Sequence, residues 1–259
     1  MNLQNTPCVI LCGGKGTRLG KLTKKTPKPL LKVTQFPLVY HIMINYHRYG
    51  VKNFILLTGY RHQDFEKYFK SLKESKIIKK TKNSCEFKIK LKKEISVLIF
   101  NTGLNTLKKD RILKIKKKIE NDIFFLTYGD GLGLVNIKQQ YKFHLKSKKI
   151  VTLLGTNPPS RFGEIKLKKN NVISLNEKPL MSQGLINGGY MVLNKKIFTF
   201  FTKIKKELEH GIINNLCKKG QVTAYINKKF WQCMDNEREY MLLKKKFREN
   251  KKIKSFFNI

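Results

Sequence analysis

Acidic side chains are scarce in this chain. Its 259 residues carry 17 Asp and Glu against 55 Lys and Arg, a formal charge of +38 at pH 7. Cysteine is sparse too: Cys8, Cys12, Cys85, Cys217 and Cys233 are odd in number and show no CxxC or histidine-paired spacing. That excludes a disulfide framework and a structural zinc site as expectations. No stretch approaches the ~18 consecutive apolar residues that a membrane span needs, and Met1-Asn2-Leu3-Gln4-Asn5 lacks the apolar centre of a signal peptide. The expectation is a cytoplasmic protein with no membrane insertion. His41, His47, His62, His144 and His210 form no metal-binding cluster.

What the chain does have is material for a core. With 41% hydrophobic and 11% aromatic residues it can bury one, which argues against a disordered tail or a fibrous repeat. The length suits a single domain spanning 1–259, since single cores stop growing near ~250–300 residues. The basic excess runs from Lys15 to Lys254 and accompanies abundant Ile, Asn and Phe. Such even spreading reads as composition rather than a nucleic-acid footprint, so specific nucleic-acid binding is not expected.

Short apolar runs ending in glycine mark buried strands. They are Cys8-Val9-Ile10-Leu11-Cys12, Phe54-Ile55-Leu56-Leu57-Thr58 before Gly59, and Ile123 to Tyr128 before Gly129. Between and after the first two, helical spacing appears from Leu38 to Tyr46 and from Gln63 through Phe65, Phe69 and Leu72. Strand alternating with helix predicts an α/β fold, a Rossmann-like doubly wound mixed sheet. Glu86 to Leu91 alternates like an edge strand, Ile95 to Phe100 is a further strand, and Ile112, Ile115 and Ile119 predict a basic helix. Residues 163–167 and 172–175 flank Lys169-Asn170-Asn171, a β-hairpin signal. Ile186 to Leu193 reads as one strand and Asn236 to Phe247 as a terminal helix, with a fraying basic tail over 249–259.

The chemistry concentrates at Leu11-Cys12-Gly13-Gly14-Lys15-Gly16-Thr17-Arg18-Leu19, followed by Pro27-Lys28-Pro29. Glycines after a buried strand let backbone N–H groups approach phosphate, and Lys15, Arg18 and Lys28 add charged donors. The glycines at 13, 14 and 16 match neither the P-loop nor GxGxxG. Read alone, Asp130 could equally cap a loop and Asp235 the last helix.

This glycine loop with its Pro-Lys-Pro resembles the sugar-1-phosphate nucleotidylyltransferase family, also called nucleotide-sugar pyrophosphorylases. Further landmarks follow in family order: Tyr128-Gly129-Asp130-Gly131, Arg161-Phe162-Gly163, Asn176-Glu177-Lys178-Pro179, Ile186-Asn187-Gly188-Gly189 and Phe230-Trp231-Gln232-Cys233-Met234-Asp235. Within the family the resemblance is strongest to the cytidylyltransferases that act on glucose 1-phosphate.

The resemblance implies a fold with a nucleotide-binding half over about 7–135 and a sugar-phosphate half over about 136–248 containing the small hairpin. It implies CTP and glucose 1-phosphate as substrates, Mg²⁺ as cofactor and a homo-oligomer. Leu11, Gly13, Gly14, Lys15, Gly16, Thr17, Arg18, Lys28, Thr102 and Arg111 would bind nucleotide, with Arg18, Lys28 and Asp130 catalytic. Tyr128, Gly163, Glu177, Lys178, Asn187, Gly188 and Gly189 would bind sugar phosphate, and Asp130 and Asp235 would hold the metal.

Three segments depart from the family pattern. Thr102-Gly103 leads to Lys108-Lys109-Asp110-Arg111 instead of a small-residue run, Cys233 stands in place of a proline, and a usual Glu-Pro pair is replaced around Gly211-Ile212. By the resemblance, the first and third fall near segments that help set nucleotide and sugar choice or subunit contacts. UTP, dTTP or GTP in place of CTP, or another sugar phosphate, therefore remain alternatives, and a nucleotide-sugar or nucleic-acid binding protein without turnover is a rival of another class.

Overall fold

The computed structural model describes residues 2–90, 93–158, 164–168, 171–176, 184–203 and 207–257. The first half contains β1 (Cys8–Leu11), α1 (Lys21–Lys25), α2 (Leu38–Arg48), β2 (Asn53–Thr58), α3 (His62–Lys70), β3 (Lys76–Thr81), β4 (Ser84–Lys90) and β5 (Glu94–Asn101). It continues with α4 (Lys108–Leu113), β6 (Ile123–Tyr128) and β7 (Gly131–Gly133). The second half has α5 (Ile137–Ser147), β8 (Val151–Thr156), β9 (Glu164–Lys168), β10 (Asn171–Asn176), β11 (Ile186–Asn187), β12 (Tyr190–Asn194) and α6 (Phe198–Lys203). After a π-helical turn at Leu208–Ile213 come α7 (Asn214–Lys218), β13 (Val222–Asn227), β14 (Trp231–Cys233), α8 (Glu237–Glu249) and α9 (Lys251–Phe257).

The main sheet runs β11-β8-β12-β6-β1-β2-β5-β4-β3, with β13 on β8. Its centre is parallel: β1 lies between β6 and β2, with Cys8 opposite both Phe125 and Phe54. Alternation along these strands feeds two cores, as a strand covered on both faces requires. Cys8, Ile10, Phe54, Leu56 and Phe125 pack on one face with Ile42 and Met43 of α2 and Phe65 of α3. Val9, Ile55, Leu57, Phe124 and Leu126 pack on the other with Ile112 of α4, Phe198 of α6, and Leu208 and Ile212 of the π-helical turn. The sheet is mixed because β12 pairs antiparallel with β6.

Four sequence expectations need correction. β4 is not the edge: the fully exposed β3 pairs on its outer side, so the lysines of β4 mark only its solvent face. Ile112, Ile115 and Ile119 are buried, but they belong to α4, its end and a 3₁₀ turn rather than to one long helix. The strand expected from Ile186 to Leu193 is interrupted at Gly188 and Gly189, where Gly189 has φ +80°. Lastly, the basic tail does not fray by Lys254. It forms α9, which buries Ile253 and Phe257 and sets Phe257 5.6 Å from the His41 ring of α2.

The hairpin strands β9 and β10 pair antiparallel. Its turn at 169–170 lies outside the described residues. All five cysteines are free. Among the described residues no helix is long and apolar enough to cross a membrane.

Candidate active site

The glycine loop leaves the C-terminal end of β1, where α/β sheets collect ligands. Cys12 N–H donates to the Leu57 carbonyl at 2.9 Å and Gly129 N–H to the Leu11 carbonyl at 3.0 Å, prolonging strand pairing into the loops. Gly16 adopts φ +65°, the left-handed region open to glycine. At Gly13 a Cβ would overlap the Arg111 guanidinium.

Arg111 is buried and its donors are spent on the surrounding loops. It bonds the carbonyls of Thr58 (3.0 Å), Gly103 (2.8 Å), Leu104 (3.0 Å) and Gly13 (3.3 Å), and the Thr102 hydroxyl. Burial holds its pKa below the ordinary arginine value. Backbone dipoles here stand in for the carboxylate that usually accompanies a buried cation. Arg111 thus ties the glycine loop to the segment after β5.

Asp130 and Asp235 meet through a second, smaller sheet. β7 and β14 pair antiparallel with Gly131 opposite Cys233, and Met234 N–H donates to the Asp130 carbonyl at 2.9 Å. Asp130 precedes one strand and Asp235 follows the other, so the register brings both to the same end. Asn236, rather than Asp235, caps α8: its side chain accepts from Glu239 N–H at 2.9 Å. Glu239 reaches back to accept from Asp235 N–H at 2.7 Å, a reciprocal arrangement related to the capping box.

Lys28 stands between the two carboxylates. Prolines on both sides restrict φ around its 3₁₀ turn, Lys28–Leu30. Its ammonium donates to Asp130 Oδ2 at 2.9 Å and to Asp235 Oδ1 at 2.5 Å. Burial by itself would pull the Lys28 pKa down, but the Asp130 and Asp235 carboxylates outweigh it and leave the pKa raised. Arg18 approaches the other oxygen of Asp235 at 2.9 Å with most of its side chain in solvent. Two carboxylates that converge on one cation are the oxygen donors a hard divalent ion prefers, so the pair fits such an ion. Among the described residues no group of three or more His, Cys, Asp or Glu could hold a metal. Further ligands would have to be substrate or water.

These groups line a cavity of about 500 Å³. Leu11, Gly13, Gly14, Gly16, Arg18, Lys28, Arg111, Tyr128, Asp130 and Asp235 are all in its wall. Lys15 and Thr17 are exposed beside the wall, and Thr102 is buried behind it with its hydroxyl bonded to the Thr58 carbonyl at 2.5 Å. Asn187, Gly188 and Gly189 also stand outside the wall but adjoin it: a Cβ on Gly189 would come within 2.6 Å of the Tyr128 ring. Trp231 Nε1 donates to the Gly188 carbonyl at 2.8 Å, a packing and bonding role for the single tryptophan. Gly163, Glu177 and Lys178 lie outside the described residues.

The cavity wall also includes Thr106, Leu107, Lys108 and Glu207, which sequence reasoning missed. Glu209 lies beside them. Its Oε1 accepts from Tyr128 at 2.5 Å and from Lys108 at 2.6 Å. No local signal marks these glutamates: acids two residues apart also occur at Asp64 and Glu66, at Glu120 and Asp122, and at Glu237 and Glu239.

The family profile described as "Nucleotidyl transferase" matches residues 8–241. The chain belongs to this family. A Salmonella typhimurium protein named glucose-1-phosphate cytidylyltransferase is 33% identical over 239 residues, 91% of this chain and 93% of its own length. A Campylobacter jejuni protein named D-glycero-alpha-D-manno-heptose 1-phosphate guanylyltransferase is 31% identical over 221 residues, 84% and 89% of the two chains. The solved structure of a UDP-glucose pyrophosphorylase with UDP-glucose superposes with a TM-score of 0.68 at 16% identity, covering 95% of this chain and 99% of that one. This last likeness establishes the fold. The nucleotidyl transferase described here is accordingly an enzyme.

Proposed function

We propose that this nucleotidyl transferase moves a cytidylyl group from CTP to α-D-glucose 1-phosphate, giving CDP-glucose and pyrophosphate. The observation that carries the reading is the meeting of Asp130, Asp235, Lys28 and Arg18 beside the glycine loop. The name of the Salmonella relative supports the choice of base and sugar.

In this reaction an oxygen of the sugar phosphate bonds to the α-phosphorus while the bond to the β-phosphate oxygen breaks and pyrophosphate departs. The nucleophile is already largely ionised, with a second pKa near ~6, so no general base is required. Positioning and charge neutralisation dominate such transfers. Backbone N–H groups from Gly13 to Gly16 cradle the phosphates, with Leu11, Lys15 and Thr17 beside them. Lys28 donates to the α-phosphate oxygens, where charge grows, and Arg18 to the β- and γ-phosphates. Asp130 and Asp235 would hold Mg²⁺, which when bound supplies further charge neutralisation. Thr102 and Arg111 shape the nucleotide end. Tyr128, Asn187, Gly188 and Gly189 line the sugar end, completed by Gly163, Glu177 and Lys178. We place the enzyme in the cytoplasm, as a homo-oligomer supplying precursors for surface polysaccharide.

The test is pyrophosphate release in a matrix of CTP, UTP, dTTP and GTP against several sugar 1-phosphates, with and without Mg²⁺. CTP with glucose 1-phosphate is expected to give the highest kcat/KM and to require the ion. A clear preference for GTP with a heptose 1-phosphate, the pair suggested by the Campylobacter relative, would replace this assignment.

A further inference from the structure

Glu209 takes no part in the cavity wall formed by the described residues, yet it bonds two side chains that do. Its Oε1 accepts the Tyr128 hydroxyl at 2.5 Å and the Lys108 ammonium at 2.6 Å, and the Lys108 ammonium lies 5.4 Å from the centre of the Tyr128 ring. Three separate elements meet there: the last residue of β6, the first of α4 and the π-helical turn Leu208–Ile213. On its other side the Tyr128 ring fills the space that a Cβ on Gly189 would need. Gly189 in turn is held at φ +80° by its N–H donating to the Asn187 side chain at 3.0 Å.

The position of Tyr128 is thus set from two directions, by a carboxylate behind it and by a glycine that gives way before it. Without Glu209 the phenol loses the acceptor of its O–H, and the contact at Gly189 is left to hold the ring. A phenol with two χ angles and a charge-assisted bond is close to rigid; without that bond it is not. We propose that Glu209 is a positioning residue for the acceptor sugar phosphate, acting through Tyr128. The inference rests on the transferase reading given above. It names a residue outside the glycine loop, the aspartate pair and the sugar-lining strand.

The experiment is steady-state kinetics on Glu209→Ala, Glu209→Gln, Tyr128→Phe and the double variant Glu209→Ala/Tyr128→Phe. Glu209→Ala is expected to raise KM for the sugar 1-phosphate about tenfold, the scale of one lost bond to a charged group, and to leave KM for the nucleotide within about twofold. Tyr128→Phe should reproduce that split, and the double variant should be no worse than the poorer single one, since both remove the same bond. Glu209→Gln keeps an acceptor oxygen but not its charge, and should recover part of the loss. Equal rises in both KM values, an unchanged sugar KM, or additive losses in the double variant would overturn the assignment. Wild-type protein that releases no pyrophosphate with any substrate pair would overturn the transferase reading, and this assignment with it. Normal turnover with an unaffected Glu209→Ala variant would overturn this assignment alone.

Discussion

The Lys28 ammonium bonds the Asp235 carboxylate at 2.5 Å across 207 positions of sequence, while also bonding Asp130 at 2.9 Å. The lysine therefore fills the position between the carboxylates where a shared cation fits. Exchanging Lys28 for methionine removes the internal cation and leaves the two carboxylates facing each other. Nucleotide-free Lys28→Met protein is expected to bind Mn²⁺ about tenfold more tightly than wild type, read by electron paramagnetic resonance, while turnover falls at least about 10²-fold. Unchanged Mn²⁺ affinity would show that the ammonium does not compete for that position.

Asp130→Asn and Asp235→Asn keep the side-chain shape and remove the charge. Each should lower kcat by about 10²-fold or more, as expected when a transition-state stabiliser is lost, with the far-ultraviolet circular dichroism unchanged. A rate within about threefold of wild type would remove the metal role from that residue.

Gly13 has no room for a side chain because the Arg111 guanidinium crosses it. Gly13→Ala is expected to cost about 1–3 kcal/mol of stability by overpacking. Arg111→Ala would be costly by itself, since it strands the carbonyls of Gly103 and Leu104. The two changes together should cost less than their sum, because the second relieves the clash of the first. Urea denaturation of the four proteins measures this directly.

His144 and His41 are buried, and desolvation holds their pKa values at about 4 and about 3. In the unfolded chain both take up protons near pH ~6.5. Below that pH the unfolded state binds more protons than the native state, so stability falls as pH drops from about 6.5 towards 4. Replacing His144 by glutamine should flatten that slope, because one of the two rings no longer titrates. The urea midpoint at pH 7, 6 and 5 is the measurement, and an unchanged slope would contradict the burial argument.

Removing the chain from Lys251 onward deletes the buried Ile253 and Phe257. The loss should reach about 3–6 kcal/mol at most, from two apolar side chains returned to water. A truncated protein as stable as the full chain would mean that α9 contributes nothing to the core.

Much of the fold was legible because its signals are local. The apolar runs of β1, β2 and β6 are continuous since strands covered on both faces need apolar residues at every position, and each run ends at a glycine where the chain turns. The helix over Leu38–Arg48 showed its period for the same reason. The errors fell where the pattern was ambiguous: Lys76–Thr81 exposes every residue, so it carries no alternation to announce an edge strand. In α9 two apolar contacts sit among lysines that resemble a solvated tail.

The sequence by itself determined the loop after β1, since glycine at 13 and 16 is what the crossing Arg111 guanidinium and a backbone φ of +65° require. It could not determine the meeting of Asp130 with Asp235, or of Glu209 with Tyr128 and Lys108. Those distances depend on the register of β7 against β14 and on where a π-helical turn docks. Pairing between remote segments leaves no periodic trace in either segment, so only the tertiary structure decided it.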